Sequence, residues 1–266
     1  MRFATILLTC LCLARVAHAH EFWIAPRDYT VATGDAIIAD LRVGQDFRGA
    51  AQSYFPGKFA RFEVRMGDRT APVEGRIGDI PALDMPAPQE GLAIVIHETA
   101  NHDLTYRERE LFERFVAHKD LGDVLERHAQ RGLPELAFRE AYTRYAKSLV
   151  AVGDGAGTDL AVGLHHEIVA GLNPFTDDLS GGMPVQVLYD GAPRAEAQVE
   201  VFARGPSGEI TQSFYRTDET GLAVIPMAPS TEYMVDAVVM EDTGNDDPDA
   251  GPVWHSAWAN LTFSTP

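Results

Sequence analysis

The sequence predicts a mainly β protein with a helical insertion. Its parts are a β-rich N-terminal domain and a C-terminal immunoglobulin-like or transthyretin-like β-sandwich. Three observations predict this. Short apolar or alternating runs broken by turn residues fill Phe22 to about Ile96. The hydrophobic period then becomes helical between about 105 and 150. From Pro184 onward the alternation of strands and turns returns and continues throughout.

The first element is a leader. Arg2 supplies a positive n-region, Ile6 to Leu13 a short apolar h-region and Ala17-His18-Ala19 a small-residue cleavage site, so residues 1–19 read as a secretory signal peptide. The apolar run is too short to cross a bilayer. The β-rich domain is expected over 20–180, with strands at Ala36 to Val43, Arg61 to Met66 and Gly91 to Ile96. Gly34-Asp35, Gly67-Asp68 and Pro86-Ala87-Pro88 punctuate them.

Within that domain a three-helix insertion is expected over about 105–150. Thr105-Tyr106-Arg107-Glu108 reads as a capping box, and Leu111, Phe112, Phe115 and Val116 share one helical face. Asp120 opens a second short helix with Val124 and Leu125 inward, ended by Gly132-Leu133-Pro134. A third helix is expected from Pro134 to about Val150, with proline in its first turn and Phe138, Tyr142, Tyr145 and Leu149 at helical spacing. The glycine-rich run 153–157 stops it, Asp159 to Val169 reads as a strand, and Asn173 to Met183 as a linker.

The sandwich is expected over 181–266. Its strands are Val185 to Tyr189, Gln198 to Phe202, Ile210 to Thr217, Leu222 to Pro226, Tyr233 to Met240 and Trp258 to Phe263. Gly191-Ala192-Pro193 through Thr217-Asp218-Glu219-Thr220-Gly221 resembles the carboxypeptidase-regulatory-like modules of secreted bacterial proteins, which bind or space more often than they catalyse.

Charge and cysteine content narrow the function. There are 22 Lys and Arg against 39 Asp and Glu, a formal charge of −17, which loss of Arg2 and Arg15 with the leader makes more negative. Such a balance attracts cations and argues against nucleic acid or an anionic membrane surface as partner. Both cysteines, Cys10 and Cys12, lie in the leader, so the remaining chain has no disulfide, thiolate metal site or cysteine nucleophile. No apolar run long enough for membrane insertion follows the leader. No phosphate loop, nucleotide fingerprint or Gly-x-Ser-x-Gly elbow occurs, and no nucleotide cofactor is expected. The acidic run Glu241 to Asp249 lacks the ligand spacing of a calcium loop and reads as a solvated hairpin.

The chemistry centres on His20. Cleavage after Ala19 would give it a free α-amine beside its own imidazole, and the two can chelate one metal ion. One further histidine completes a histidine brace, a nitrogen set suited to tetragonal Cu(II) or Ni(II). His97, where a buried strand emerges, is the first candidate for that ligand. His165 and His166 are others, and on a strand only one of that pair can face a given site. His97-Glu98-Thr99-Ala100-Asn101-His102 superficially resembles a zinc-protease helix. The histidines are five apart, however, about 500° around a helix, so their rings diverge.

Several segments together carry a family resemblance. They are His20-Glu21-Phe22-Trp23-Ile24-Ala25-Pro26, Tyr142 to Lys147 with Val152-Gly153-Asp154-Gly155, Asn173-Pro174-Phe175, Val187 to Pro193, and Trp258 to Phe263. With these the chain resembles the secreted bacterial family known as domain of unknown function 4198, formerly described as NikM-like nickel-uptake proteins. The resemblance implies an exported, β-rich protein associated with metal or TonB-dependent uptake, and no established reaction. Where that family commonly reads Gly-Leu-Pro-Leu-Glu, this chain reads Gly163-Leu164-His165-His166-Glu167.

The expectation is a periplasmic, non-catalytic accessory protein. It would bind Cu(II), or alternatively Ni(II) or Co(II), through His20 and later histidines, in support of a membrane uptake system. A metal-independent adaptor for a transporter or polymer is the alternative, and a copper-dependent redox enzyme using the same brace is a third reading.

Overall fold

The computed structural model describes residues 20–266, so the expected leader, residues 1–19, lies outside the described residues. The first part of the chain forms β1 (Glu21–Pro26), β2 (Thr30–Val31), β3 (Ala36–Gln45), β4 (Arg48–Gln52), β5 (Phe59–Met66), β6 (Arg69–Pro72), β7 (Leu83–Pro86), β8 (Gly91–Thr99) and β9 (His102–Tyr106). Two helices follow, α1 (Arg109–His118) and α2 (Val124–Gln130), and then the long strand β10 (Phe138–Val152). The remainder is β11 (His166–Ala170), β12 (Met183–Tyr189), β13 (Ala192–Pro193), β14 (Gln198–Arg204), β15 (Ile210–Arg216), β16 (Leu222–Ile225), β17 (Glu232–Asp242) and β18 (Trp254–Ser264).

These strands make three layers. A ten-stranded sheet runs β15-β14-β17-β18-β10-β8-β5-β6, with β2 and β9 also paired to β10. One four-stranded sheet, β1-β3-β4 with β7 against β3, covers one face, and another, β11-β12-β13 with β16 against β12, covers the other. Ile24, Ile37 and Leu41 meet Val64, Val95 and Val150 in the first interface. Ile168, Val185 and Val187 meet Ile94, Leu149, Val235 and Leu261 in the second. The helices form a lid over a third cluster containing Phe112, Phe115, Phe138, Trp254 and Trp258. The protein is therefore mainly β with a helical insertion.

Strand β10 corrects the sequence reading. The third helix expected from Pro134 to Val150 does not form; those residues supply the central strand, parallel to β18 and antiparallel to β8 and β9. Tyr145 and Leu149 face one core while Ala146, Val150 and Val152 face the other. A strand buried on both faces is apolar at odd and even positions, so residues at helical spacing occur in it without a helix. The capping box fails for a related reason. Thr105 and Tyr106 belong to β9, and α1 starts behind Glu108 without a side-chain cap. Phe112, Phe115, Val116 and Val124 are buried as expected, whereas Leu125 is exposed. Of the strand expected over Asp159 to Val169 only the end forms, as β11.

From Pro184 on, the described chain is strand and turn. The ten-stranded sheet draws on both sides of the boundary expected at 180, because β10 lies beside β18 from Glu140 opposite Trp254 to Ser148 opposite Thr262. Two sequence segments that looked like loop punctuation are joined in the interior. Asn173 is fully buried and donates to the carbonyls of Gly155 at 2.8 Å and Gly157 at 2.9 Å. Gly155 has φ +63° and comes so close to Ala151 that an added Cβ would stand 2.7 Å from the Ala151 Cβ. No described helix is long and apolar enough to cross a membrane.

Candidate functional site

Strand β1 starts immediately after His20, and both sides of its first residues are anchored. The Glu21 carboxylate points inward and accepts from the buried Lys119 ammonium at 3.2 Å. Lys119 also bonds Asp236 at 3.2 Å and Glu200. Burial raises the Glu21 carboxyl to about 7 despite the nearby Lys119 charge. On the other side Arg144 donates through Nη2 to the His20 carbonyl at 3.0 Å. Exposed His20 is thereby held at the mouth of a cavity of about 570 Å³, whose lining includes His97, His102, Phe22, Tyr142 and Arg144.

Strands β8 and β9 deliver the two further histidines. Both run antiparallel to β10, with Ile94 opposite Leu149 and His102 opposite Tyr142, and Ala100 and Asn101 interrupt the line between them. On an uninterrupted strand residues five apart face opposite ways. The interruption changes that parity, and His97 and His102 line the same cavity. The spacing that excludes a zinc-protease helix is thus compatible with a shared site on a broken strand.

His97 is unusual. It is 1% exposed, and its ring lies 4.9 Å from Phe22, 4.7 Å from Phe59 and 4.9 Å from Phe62, centroid to centroid. Neither Nδ1 nor Nε2 has a hydrogen-bond partner. Burial pulls its pKa down to about 3, so the ring is neutral with an available lone pair. Leaving such a polar group unpaired costs about 1–3 kcal/mol. His102 stacks on Tyr142 at 5.4 Å, and burial followed by the charges of Arg144 and Lys58 lowers its pKa as well. Among the described residues no three His, Cys, Asp or Glu side chains are already gathered tightly enough to hold a metal ion. The three histidines share a cavity wall, not a common point.

The other histidines named from sequence lie elsewhere. His165 is caught between two carboxylates, Nδ1 to Asp190 at 2.6 Å and Nε2 to Glu241 at 2.7 Å. Glu241 also meets His255 Nδ1 at 3.0 Å, and His255 Nε2 meets the Thr143 hydroxyl at 3.0 Å. His166 is fully buried, with Nδ1 2.9 Å from the Ala257 carbonyl and Nε2 3.3 Å from Arg194. Both of its nitrogens are occupied, and neither residue of the pair lines the His20 cavity. His102, which the sequence reading did not pair with His20, lines the same cavity; strand parity around a break at Ala100-Asn101 was the signal that could have placed it there.

A family model described as Domain of unknown function (DUF4198) matches residues 17–241. The chain belongs to the DUF4198 family. The match takes in His20, His97 and His102 together with every element up to most of β17. No curated protein matches this DUF4198 chain. Among solved structures it is similar to the D0-D1 domain of Intimin, at 15% identity and a TM-score of 0.22. That match covers 92% of this chain and 98% of the other.

Proposed function

We propose that this DUF4198 protein binds a transition-metal ion, Cu(II) first and Ni(II) or Co(II) next, in the cavity shared by His20, His97 and His102. The observation that carries the reading is His97: a buried, neutral imidazole with both nitrogens unpartnered, on the wall of the cavity at whose mouth His20 sits. A bound ion would give that imidazole the partner it lacks. His20 would supply two nitrogens once processing after Ala19 frees its α-amine, and its exposure leaves the ring free to turn inward. Burial favours the deprotonated imidazole, the form that ligates, at His97, and burial with the Arg144 and Lys58 charges does so at His102. The role is that of a periplasmic accessory that binds metal for uptake or handling.

Titration of protein beginning at His20 with Cu(II) and Ni(II) tests this. One equivalent should bind, and both an added residue before His20 and His97→Ala should weaken binding at least tenfold. Equal affinity in the extended protein would overturn the chelate, because its terminal amine has become an amide nitrogen.

A further inference from the structure

Away from the cavity, on the opposite face of β10, three charged side chains are sealed in the core. Lys147, Asp159 and Glu167 are 0%, 0% and 1% exposed at their side chains. The Lys147 Nζ lies 2.8 Å from one Asp159 oxygen and 3.0 Å from the other, and 3.1 Å from Glu167 Oε1. The Leu160 carbonyl accepts its remaining hydrogen bond at 3.0 Å. Glu167 is held by the backbone N–H groups of Val162, Gly163 and Leu164 at 2.8, 3.1 and 3.2 Å. Asp159 is held by those of Leu160 and Ala170 at 2.9 and 2.8 Å. All reacting atoms are therefore fixed by backbone.

We propose that Lys147 and Asp159 condense to an intramolecular isopeptide bond, with Glu167 as the proton carrier. Two carboxylates face one ammonium in a dry core, and condensing one pair removes two buried charges and their desolvation cost. An Nζ that contacts both carboxylate oxygens stands about 3–3.5 Å from the carbon between them, within reach of attack, and a fixed pair reacts as if highly concentrated. The Asp159 carboxyl is raised by burial against the lowering effect of Lys147, the direction that favours a carboxylic acid at this position.

The step balances without a co-reactant. The ammonium passes one proton to Asp159, giving amine and carboxylic acid. The Nζ lone pair attacks Cγ and forms the Nζ–Cγ bond. Glu167 takes a proton from that nitrogen and delivers it to the departing hydroxyl; the Cγ–O bond breaks and one water leaves. Glu167 ends as the carboxylate it began as. The product staples β10 to the irregular segment before β11, in a described chain that contains no cysteine.

Mass spectrometry of the denatured wild-type protein decides the matter. The expected result is a chain lighter by one water, with trypsin unable to cut at Lys147. Fragments on either side of a second cut, after Leu149 or before Asp154, should stay joined. Lys147→Arg and Glu167→Gln should restore the full mass, and Asp159→Asn, if it reacts, should lose ammonia and reach the wild-type product mass. A wild-type chain of full sequence mass that trypsin cuts after Lys147 would leave a buried ion pair and overturn the proposal, whatever the variants do. A water loss that maps to another residue overturns it equally.

Discussion

Arg144 donates to the His20 carbonyl at 3.0 Å while its guanidinium carbon lies 4.6 Å from the centre of the Tyr142 ring, which in turn stacks on His102. One cation on β10 thus ties the start of β1 to the wall that carries the other histidines. Arg144→Met should loosen that tether. Metal affinity should fall about tenfold, the worth of one hydrogen bond from a charged donor. Titration with Cu(II) measures it, and unchanged affinity would show that β1 is placed by Lys119 and Glu21 alone.

His97→Phe should separate stability from binding. The new ring fits among Phe22, Phe59 and Phe62 and removes two unpartnered buried nitrogens, so the protein should gain about 1 kcal/mol in urea unfolding while losing metal affinity. A loss of stability would mean that the ring nitrogens find partners in solution.

The Glu241 network should give a pH-dependent contribution. Burial raises the Glu241 carboxyl, but hydrogen bonds from His255, His165 and Tyr189 outweigh it and hold it down to about 2. Its share of stability is present above the ordinary value of 4.5 and is lost as pH falls toward 2. His165 is lowered by burial yet raised on balance by Glu241 and Asp190; its share is full below 6.5 and lost as pH rises through its elevated folded value. Glu241→Gln should therefore cost about 1 kcal/mol or more between pH 4.5 and 6.5 and less at pH 9. Urea midpoints across that range test it, and a pH-independent loss would contradict the linkage.

The sequence displayed sandwich strands such as β12 and β16 well because they alternate, with one face covered. It concealed β10, whose two buried faces erase the alternation on which strand recognition depends. His20 and His97 could be paired by ligand logic, and both line one cavity. His102 could not, since a break of two residues sets its facing. Lys147, Asp159 and Glu167 were illegible for another reason: charged residues ordinarily face solvent, and nothing local distinguishes three that close around one another in a core.

The position of β18 constrains how the protein comes into being. This strand lies between β10 and β17, yet it is separated from β10 by most of the second half of the sequence. Until residues 254–264 have been synthesised, the longest strand of the molecule has an open edge and the core under β11 and β12 lacks Ala257, Ala259, Leu261 and Phe263. Folding must wait for that insertion, and a chain interrupted before it would expose an apolar edge suited to association with other copies.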